Sequence, residues 1–229
     1  MWRGLLPSVC ALCGAVQGDV VCGDCAAAVL AEVPRCPRCA MACPPGHQCD
    51  ACASWDTSGR TRGPAFDAAF TLGNYATPQD GLVLALKFGG ALPLAGWLAS
   101  QLAVGVRATG PLPDLLVPIP LSPARLARRG FNQAWEIARP LARHLGVRVA
   151  PALLARVRDT PAQSALELSA RRTNLRGAFR LARPGGLDGL HIGLVDDVMT
   201  SGVTLHEAAR ALKSNGAARV TAITALRTP

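Results

Sequence analysis

Two groups of residues in this chain have types and spacings suited to chemistry: a pair of acids followed by a hydroxyl-rich turn, and a series of paired cysteines. The acids, Asp196 and Asp197, end the apolar run that starts at Ile192, and Met199-Thr200-Ser201-Gly202-Val203-Thr204 comes directly after. An apolar run of this kind reads as a buried parallel strand. The spacing of Val203, Ala208, Ala211 and Leu212, with Asn215-Gly216 as a stop, predicts a helix beyond it. The turn between them therefore lies at a helix N-terminus, where unpaired backbone N–H groups and the positive end of the helix dipole make a seat for a phosphate. Thr200, Ser201, Gly202, Val203 and Thr204 would form that seat, with Gly202 letting the backbone approach the anion closely. Two adjacent carboxylates at an apolar strand end need bound hydroxyls or a metal ion to satisfy them. A phosphorylated sugar with vicinal hydroxyls meets both requirements. In an ordinary strand-to-helix connection Asp197 or Ser201 would serve only as a cap, and it is the hydroxyl-and-glycine turn after the acids that argues for a site.

The second group comprises nine cysteines, all within the first 52 residues. Eight fall into four knuckles: Cys10-x-x-Cys13, Cys22-x-x-Cys25, Cys36-x-x-Cys39 and Cys49-x-x-Cys52. Each knuckle aims two thiolates at one ion, and two knuckles complete the tetrahedral set that zinc prefers. Short gaps within successive couples predict two ribbons, one from Cys10, Cys13, Cys22 and Cys25, the other from Cys36, Cys39, Cys49 and Cys52, with Cys43 left over. Spacing fixes the knuckles better than their partners, so a cross-braced arrangement and a single occupied site both remain open. Four thiolates per ion leave no open coordination position, which makes the zinc structural: it replaces a core too small to fold alone. Four CxxC pairs together argue against a redox role.

The elements that must hold these groups follow from the rest of the chain. Residues 1–55 form the cysteine module, residues 56–65 read as a polar, glycine-bearing linker, and residues 66–229 carry a second domain. Within it, strands are expected at 66–72, 115–120, 147–154, 179–181, 191–197 and 219–226, and helices at 79–88, 93–107, 166–176 and from the cap Asn132 to Leu145, bent at Pro140. Strands alternating with helices imply a mostly parallel sheet covered by helices on both faces, an α/β fold in which ligands sit beyond the carboxyl ends of the strands. The stretch from Ser122 to Gln133 is densely basic, and guanidinium forks at Arg125, Arg128 and Arg129 suit phosphate oxygens. The polar segment from Arg156 to Ser164 reads as a loop able to close over a reacting centre.

The stretch from Ile192 to Thr204 resembles the phosphoribosyl diphosphate (PRPP) signature of type I phosphoribosyltransferases, with every key position filled. That resemblance implies that Asp196 and Asp197 hold the ribose hydroxyls and that Thr200 to Thr204 hold the 5′-phosphate. The similarity extends through essentially the whole chain to the ComF family, amidophosphoribosyltransferase-like proteins associated with competence and bacterial DNA uptake. Its markers are the N-terminal CxxC knuckles, Leu86-Lys87-Phe88, Pro118-Ile119-Pro120-Leu121, Arg129-Gly130-Phe131-Asn132-Gln133, Thr160-x-x-Gln163, Arg172-x-Asn174 and Ala178-Phe179. The family implies a double zinc ribbon fused to a type I phosphoribosyltransferase fold, Mg²⁺ accompanying PRPP, and Lys87, Arg129, Asn132, Gln133, Gln163, Arg172 and Asn174 near the ligand. Two departures are small: Cys43 is extra, and Ser201 stands where a second Thr is usual, keeping the hydroxyl.

Three functions fit these residues. The first is phosphoribosyl transfer, although no segment reads as a hood for a purine, pyrimidine or glutamine substrate and no glutaminase half is seen. The second is a module that grips single-stranded DNA through the ribbon and basic loops, working with DNA-uptake helicase machinery. A net charge of +9 accords with an anionic partner, but Phe131 and Trp135 are the main stacking candidates in a chain poor in aromatics. The third is an accessory protein that senses PRPP without transferring it. The N-terminus is interrupted too early for a signal peptide and the apolar run at 82–98 is broken by Lys87 and Pro93, so the expected compartment is the cytoplasm.

Overall fold

A computed structural model describes residues 8–31, 33–58, 63–158, 175–183 and 185–229. The chain opens with a small antiparallel hairpin of β1 (Ser8–Val9) and β2 (Val16–Gln17), then α1 (Gly23–Val29) and α2 (Asp50–Ser58). Helix α2 thus runs into the stretch read as a linker. The two ribbons are less of an appendage than their spacing suggests. Cys10, Val21 and Val29 are buried in the same cluster as Leu82, Leu86, Leu98 and Leu226, and Ala40 is buried with Phe66, Met199 and Val203.

The second region contains β3 (Ala68–Asn74), α3 (Asp80–Phe88), α4 (Pro93–Ala108), β4 (Leu115–Pro118), α5 (Pro123–Arg129), α6 (Gln133–Leu145) and β5 (Arg148–Val149). It continues with β6 (Leu154–Arg156), β7 (Phe179–Leu181), β8 (His191–Met199), α7 (Val203–Lys213) and β9 (Arg219–Arg227). Five strands form a parallel sheet in the order β3-β9-β8-β4-β5, while β6 and β7 pair separately and antiparallel. The single strand expected at 147–154 is therefore two strands in different sheets, parted by a turn at Pro151-Ala152, because proline removes a ladder donor. None of the described helices is long and apolar enough to cross a membrane.

Helices cover both faces. Leu82, Leu86, Leu98 and Leu141 of α3, α4 and α6 pack with Val195 and Ile223 on one side; Leu205, Ala208 and Leu212 of α7 pack with Ile192, Leu194 and Ala222 on the other. A fully buried leucine or valine contributes about 1.5–3 kcal/mol relative to an exposed one, so three such residues in α3 alone (Leu82, Val83, Leu86) hold that nine-residue helix firmly. From β4 the chain moves on to β5 at one edge, and from β8 it moves to β9 on the opposite side. The loops after β4 and β8 consequently diverge, and this switch point opens the crevice where ligands of such sheets bind.

The basic stretch after β4 is a helix rather than a loop. Ser122 caps it by accepting from Arg125 N at 3.4 Å, Pro123 occupies its first turn, and Gly130 at φ 81° ends it while donating to Leu126 O. Asn132 then caps α6, its Oδ1 accepting from Ala134 N at 3.1 Å, and α6 continues through Pro140 to Leu145.

Candidate functional site

Strand alternation distributes the two acids. Successive side chains of β8 face opposite sides of the sheet, and Leu194 and Val195 belong to the α7-side and α3-side cores respectively. Asp197 follows Val195 to the α3 side, where its Oδ2 lies 3.1 Å from Lys87 Nζ. Asp196 faces the other way. Its Oδ1 accepts from Asp197 N at 2.9 Å, and burial, reinforced by the adjacent Asp197 carboxylate, pushes its carboxyl up to about 7. The charges of Lys87 and Arg156 oppose that rise. Two acids adjacent in the chain are thus turned to opposite faces of the strand, one paired with Lys87 and the other held in an environment that opposes its ionisation.

Beyond them, Met199 ends the strand and the turn of Thr200, Ser201 and Gly202 leads into α7. Gly202 has φ 73°, a left-handed conformation that glycine adopts without penalty, and it occupies the cap position of α7, to which it brings no capping side chain. Val203 and Thr204 begin the helix. Ser201 Oγ is buried and has no hydrogen-bond partner among the described residues. The N-terminus of an eleven-residue helix, beside a buried hydroxyl with no partner among the described residues, has the electrostatics and donors that suit an anion.

The Arg-Gly-Phe-Asn-Gln block brings cations and amides to the same side as Lys87. Arg129 Nη1 donates to Gln133 Oε1 at 2.8 Å, and its guanidinium lies over the Phe88 ring at 5.3 Å. Burial lowers the Arg129 pKa, while the Asp197 charge works in the opposite direction. Gln133 is 2% exposed, and its side-chain Nε2 has no partner among the described residues. Asn132 is spent on structure: it caps α6 and donates from Nδ2 to Ile119 O at 3.0 Å, tying the block to the turn after β4. Gln163, Arg172 and Asn174 lie outside the described residues. The segment just after them is anchored, since Gly177 N donates to Glu207 Oε2 at 2.9 Å and Arg210 reaches the same oxygen at 2.7 Å.

Two arginines were not singled out as site residues by the sequence. Arg156 ends β6, is 9% exposed, and sits over the Phe179 ring at 5.8 Å with its charge in reach of Asp196. Arg227 ends β9 and bonds the carbonyls of Met199, Thr200, Thr228 and Cys39. Arg227 lies at the carboxyl end of a strand of the parallel sheet, the edge at which such sheets bind ligands, whereas Arg156 comes from the separate β6-β7 pair.

The cysteines gather as their spacing predicts. Sγ atoms of Cys10, Cys13, Cys22 and Cys25 lie within 4.8 Å of one another, as do those of Cys36, Cys39, Cys49 and Cys52. Neighbouring sulfurs approach to 3.7 Å (Cys13 and Cys22) and 3.5 Å (Cys39 and Cys49), close to the ~3.8 Å edge of a tetrahedron with Zn–S near 2.3 Å. Burial opposes ionisation of Cys10 and Cys36, yet backbone N–H groups of their own and the following knuckle hold them down to about 6 and about 7. A hydrogen bond with the Cys22 side chain that favours the Cys25 thiol leads the effects that push Cys25 up to about 12, and burial leads those that push Cys39 to about 12. Four thiols this close cannot ionise together without a cation, and a structural zinc supplies it. Cys43 lies outside both sets, with Sγ 3.2 Å from His47 O.

Residues 131–229 match the model of the phosphoribosyl transferase domain, and residues 1–53 match that of the double zinc ribbon domain. DNA utilization protein YhgH of Salmonella typhi is 38% identical over 226 residues, covering 94% of this chain and 95% of that protein. Competence protein F of Haemophilus influenzae is 33% identical over 159 residues, 67% of this chain and 69% of its own. Competence protein ComFC of Bacillus subtilis is 36% identical over 114 residues, 49% of this chain and 44% of its own.

Proposed function

Since the chain belongs to the ComF family and carries a phosphoribosyltransferase-like domain behind a double zinc ribbon, we propose that it binds PRPP with Mg²⁺ at the carboxyl edge of the sheet. One observation carries the reading: at the N-terminus of α7 a buried Ser201 hydroxyl has no partner among the described residues, two residues past a strand that carries paired acids near its carboxyl end. The 5′-phosphate takes the amides of Thr200 to Thr204, and Asp196 and Asp197 accept from the ribose hydroxyls. Mg²⁺ bound with the ligand would supply positive charge to offset the diphosphate. Lys87 leaves its ion pair with Asp197 as the ribose arrives, and with Arg129 it offsets the charge of the diphosphate. Should transfer follow, the ribosyl C1 loses diphosphate and gains the bond to a nucleophile, and these cations stabilise the leaving charge. Calorimetric titration with PRPP and Mg²⁺ tests the binding: the wild-type chain gives a saturable heat that replacing both acids (Asp196→Asn with Asp197→Asn) abolishes. An unchanged isotherm rejects the reading. Incubating PRPP with pooled nucleobases and amines, followed by mass spectrometry, tests transfer through the appearance of a phosphoribosyl adduct.

A second reading, binding of single-stranded DNA, draws on one observation. Helix α5 buries none of its residues while carrying Arg125, Arg128 and Arg129, and such a surface suits a phosphate backbone. The names of the relatives, DNA utilization and competence proteins, accord with it. Labelled single-stranded DNA should bind with an affinity that falls steeply with salt, and absence of binding at low salt rejects this reading.

A further inference from the structure

The second ribbon and the phosphate loop share one side chain. Arg227, the last residue of β9, donates from Nε to Cys39 O at 3.3 Å. From Nη1 it donates to Met199 O at 3.2 Å, to Thr228 O at 2.6 Å and to Thr200 O. Cys39 is a member of the second thiol set, and Met199 and Thr200 open the loop.

These bonds have a directional consequence. In a trans peptide the C=O of one residue and the N–H of the next point opposite ways. The Met199 carbonyl is held by the sheet as well, accepting from Thr228 N at 3.0 Å; by holding the Thr200 carbonyl, Arg227 fixes the N–H of Ser201 on the side away from itself. At the other end, four thiolates around one Zn²⁺ carry a net double negative charge, and the thiolate charges of Cys39, Cys49 and Cys52 are in reach of the guanidinium. The knuckle is also braced from the sheet. Arg35 donates to Ala40 O at 3.1 Å and to Asn74 Oδ1 at 3.0 Å, and Ala69 N donates to Pro37 O at 3.1 Å. Ala40 itself, at φ 58°, sits in a left-handed conformation beneath the same core as Val203, a geometry that costs an alanine free energy unless its surroundings enforce it.

We propose that Arg227 is a positioning residue through which the metal set of the second ribbon (Cys36, Cys39, Cys49 and Cys52) and the phosphate loop stabilise one another. The first ribbon has no such link to the loop among the described residues. Loss of zinc from the second set, with protons taken up by the released thiolates, removes the anionic partner of Arg227 and frees the Cys39 carbonyl, so the Thr200 carbonyl loses its fixed orientation. Coupling of this kind is reciprocal: a ligand in the phosphate loop must raise the affinity of the second set for zinc. The inference rests on the PRPP reading above.

The test uses the zinc-loaded full chain with PRPP and Mg²⁺ as the probe. Alkylation by N-ethylmaleimide, read peptide by peptide in a mass spectrometer, reports each thiol set separately, and the first ribbon serves as the internal control. In the wild-type chain, PRPP should slow labelling of Cys36, Cys39, Cys49 and Cys52 several-fold while leaving Cys10, Cys13, Cys22 and Cys25 unchanged. In Arg227→Met that protection should vanish and PRPP affinity should fall about tenfold, the scale of one charge-assisted hydrogen bond, with two zinc ions still bound. Arg227→Lys, which keeps the charge without the fork, should retain part of the protection. Wild-type binding of PRPP without selective protection of the second set overturns the coupling alone, and that result is read without any variant. A wild-type chain that does not bind PRPP overturns both the coupling and the reading beneath it.

Discussion

Replacing Asp196 with asparagine should stabilise the ligand-free protein above neutral pH while weakening its hold on PRPP. The Asp196 carboxyl is raised from 3.8 to about 7, first by burial and then by the charge of Asp197. A group shifted by that much represents on the order of 4 kcal/mol between its two protonation states. The sign follows from proton binding. The folded state keeps the Asp196 proton up to about pH 7, whereas the unfolded chain releases it near pH 4, so stability falls as pH rises through that window and levels off above it. Asparagine carries no such dependence, and its Oδ1 still accepts from Asp197 N, the bond that Asp196 makes at 2.9 Å. Urea unfolding of the zinc-loaded wild type and Asp196→Asn, at about pH 5.5 and about pH 8, should show the variant ahead at both, with the gap widening by roughly 2 kcal/mol toward the higher pH. For a chain of this size 1 kcal/mol moves the melting midpoint by about 2–4 °C, so the gain is also visible by calorimetry. A variant less stable than wild type at the higher pH, or a gap that does not change with pH, would refute the assignment of a strained acid at this position.

Three further outcomes follow from particular contacts. Lys87→Met leaves the buried Asp197 carboxylate without the cation 3.1 Å away and should cost about 2–4 kcal/mol; adding Asp197→Asn should recover most of it, and strictly additive losses in unfolding experiments would contradict the pair. Gly105→Ala would place a Cβ 2.0 Å from Phe70 Cζ, so an exchange that normally favours a helix should here cost about 1–3 kcal/mol; adding Phe70→Leu should restore part of the melting midpoint. Elemental analysis should find two zinc ions per chain, and Cys49→Ala together with Cys52→Ala should remove one of them, whereas an unchanged count would break the pairing of Cys36, Cys39, Cys49 and Cys52.

The parts of the site legible in the sequence are those whose chemistry is contiguous. Asp196 to Thr204 is one strand end, one turn and one helix start, so residue order alone conveys its geometry. The CxxC knuckles are equally local, and two such pairs at short separation have few ways to meet. Arg156 and Arg227 are not legible in the sequence because their roles depend on partners far along the chain: Arg227 meets Cys39 across 188 residues, a contact that no periodicity encodes. The basic stretch at 123–129 was read for its charge, although Ser122, Pro123 and Gly130 spelled out a cap, a first turn and a left-handed stop. The strand expected at 147–154 failed at Pro151, a signal that was present and outweighed by the β-branched residues before it. The ribbons appeared detachable because cysteines dominate their composition. Only packing reveals that Cys10, Val21 and Val29 share the core of the sheet's α3 side.

The central claim is that the amides opening α7 grip a sugar phosphate while the two acids at the end of β8 hold its ring. An experimental structure of the zinc-loaded chain with PRPP and Mg²⁺ examines it most directly. The account predicts the 5′-phosphate within hydrogen-bond distance of the backbone N–H groups of Thr200 to Thr204, the Ser201 hydroxyl turned onto it, and the ribose hydroxyls on Asp196 and Asp197. PRPP bound elsewhere, with the turn vacant and Lys87 still paired to Asp197, would contradict it.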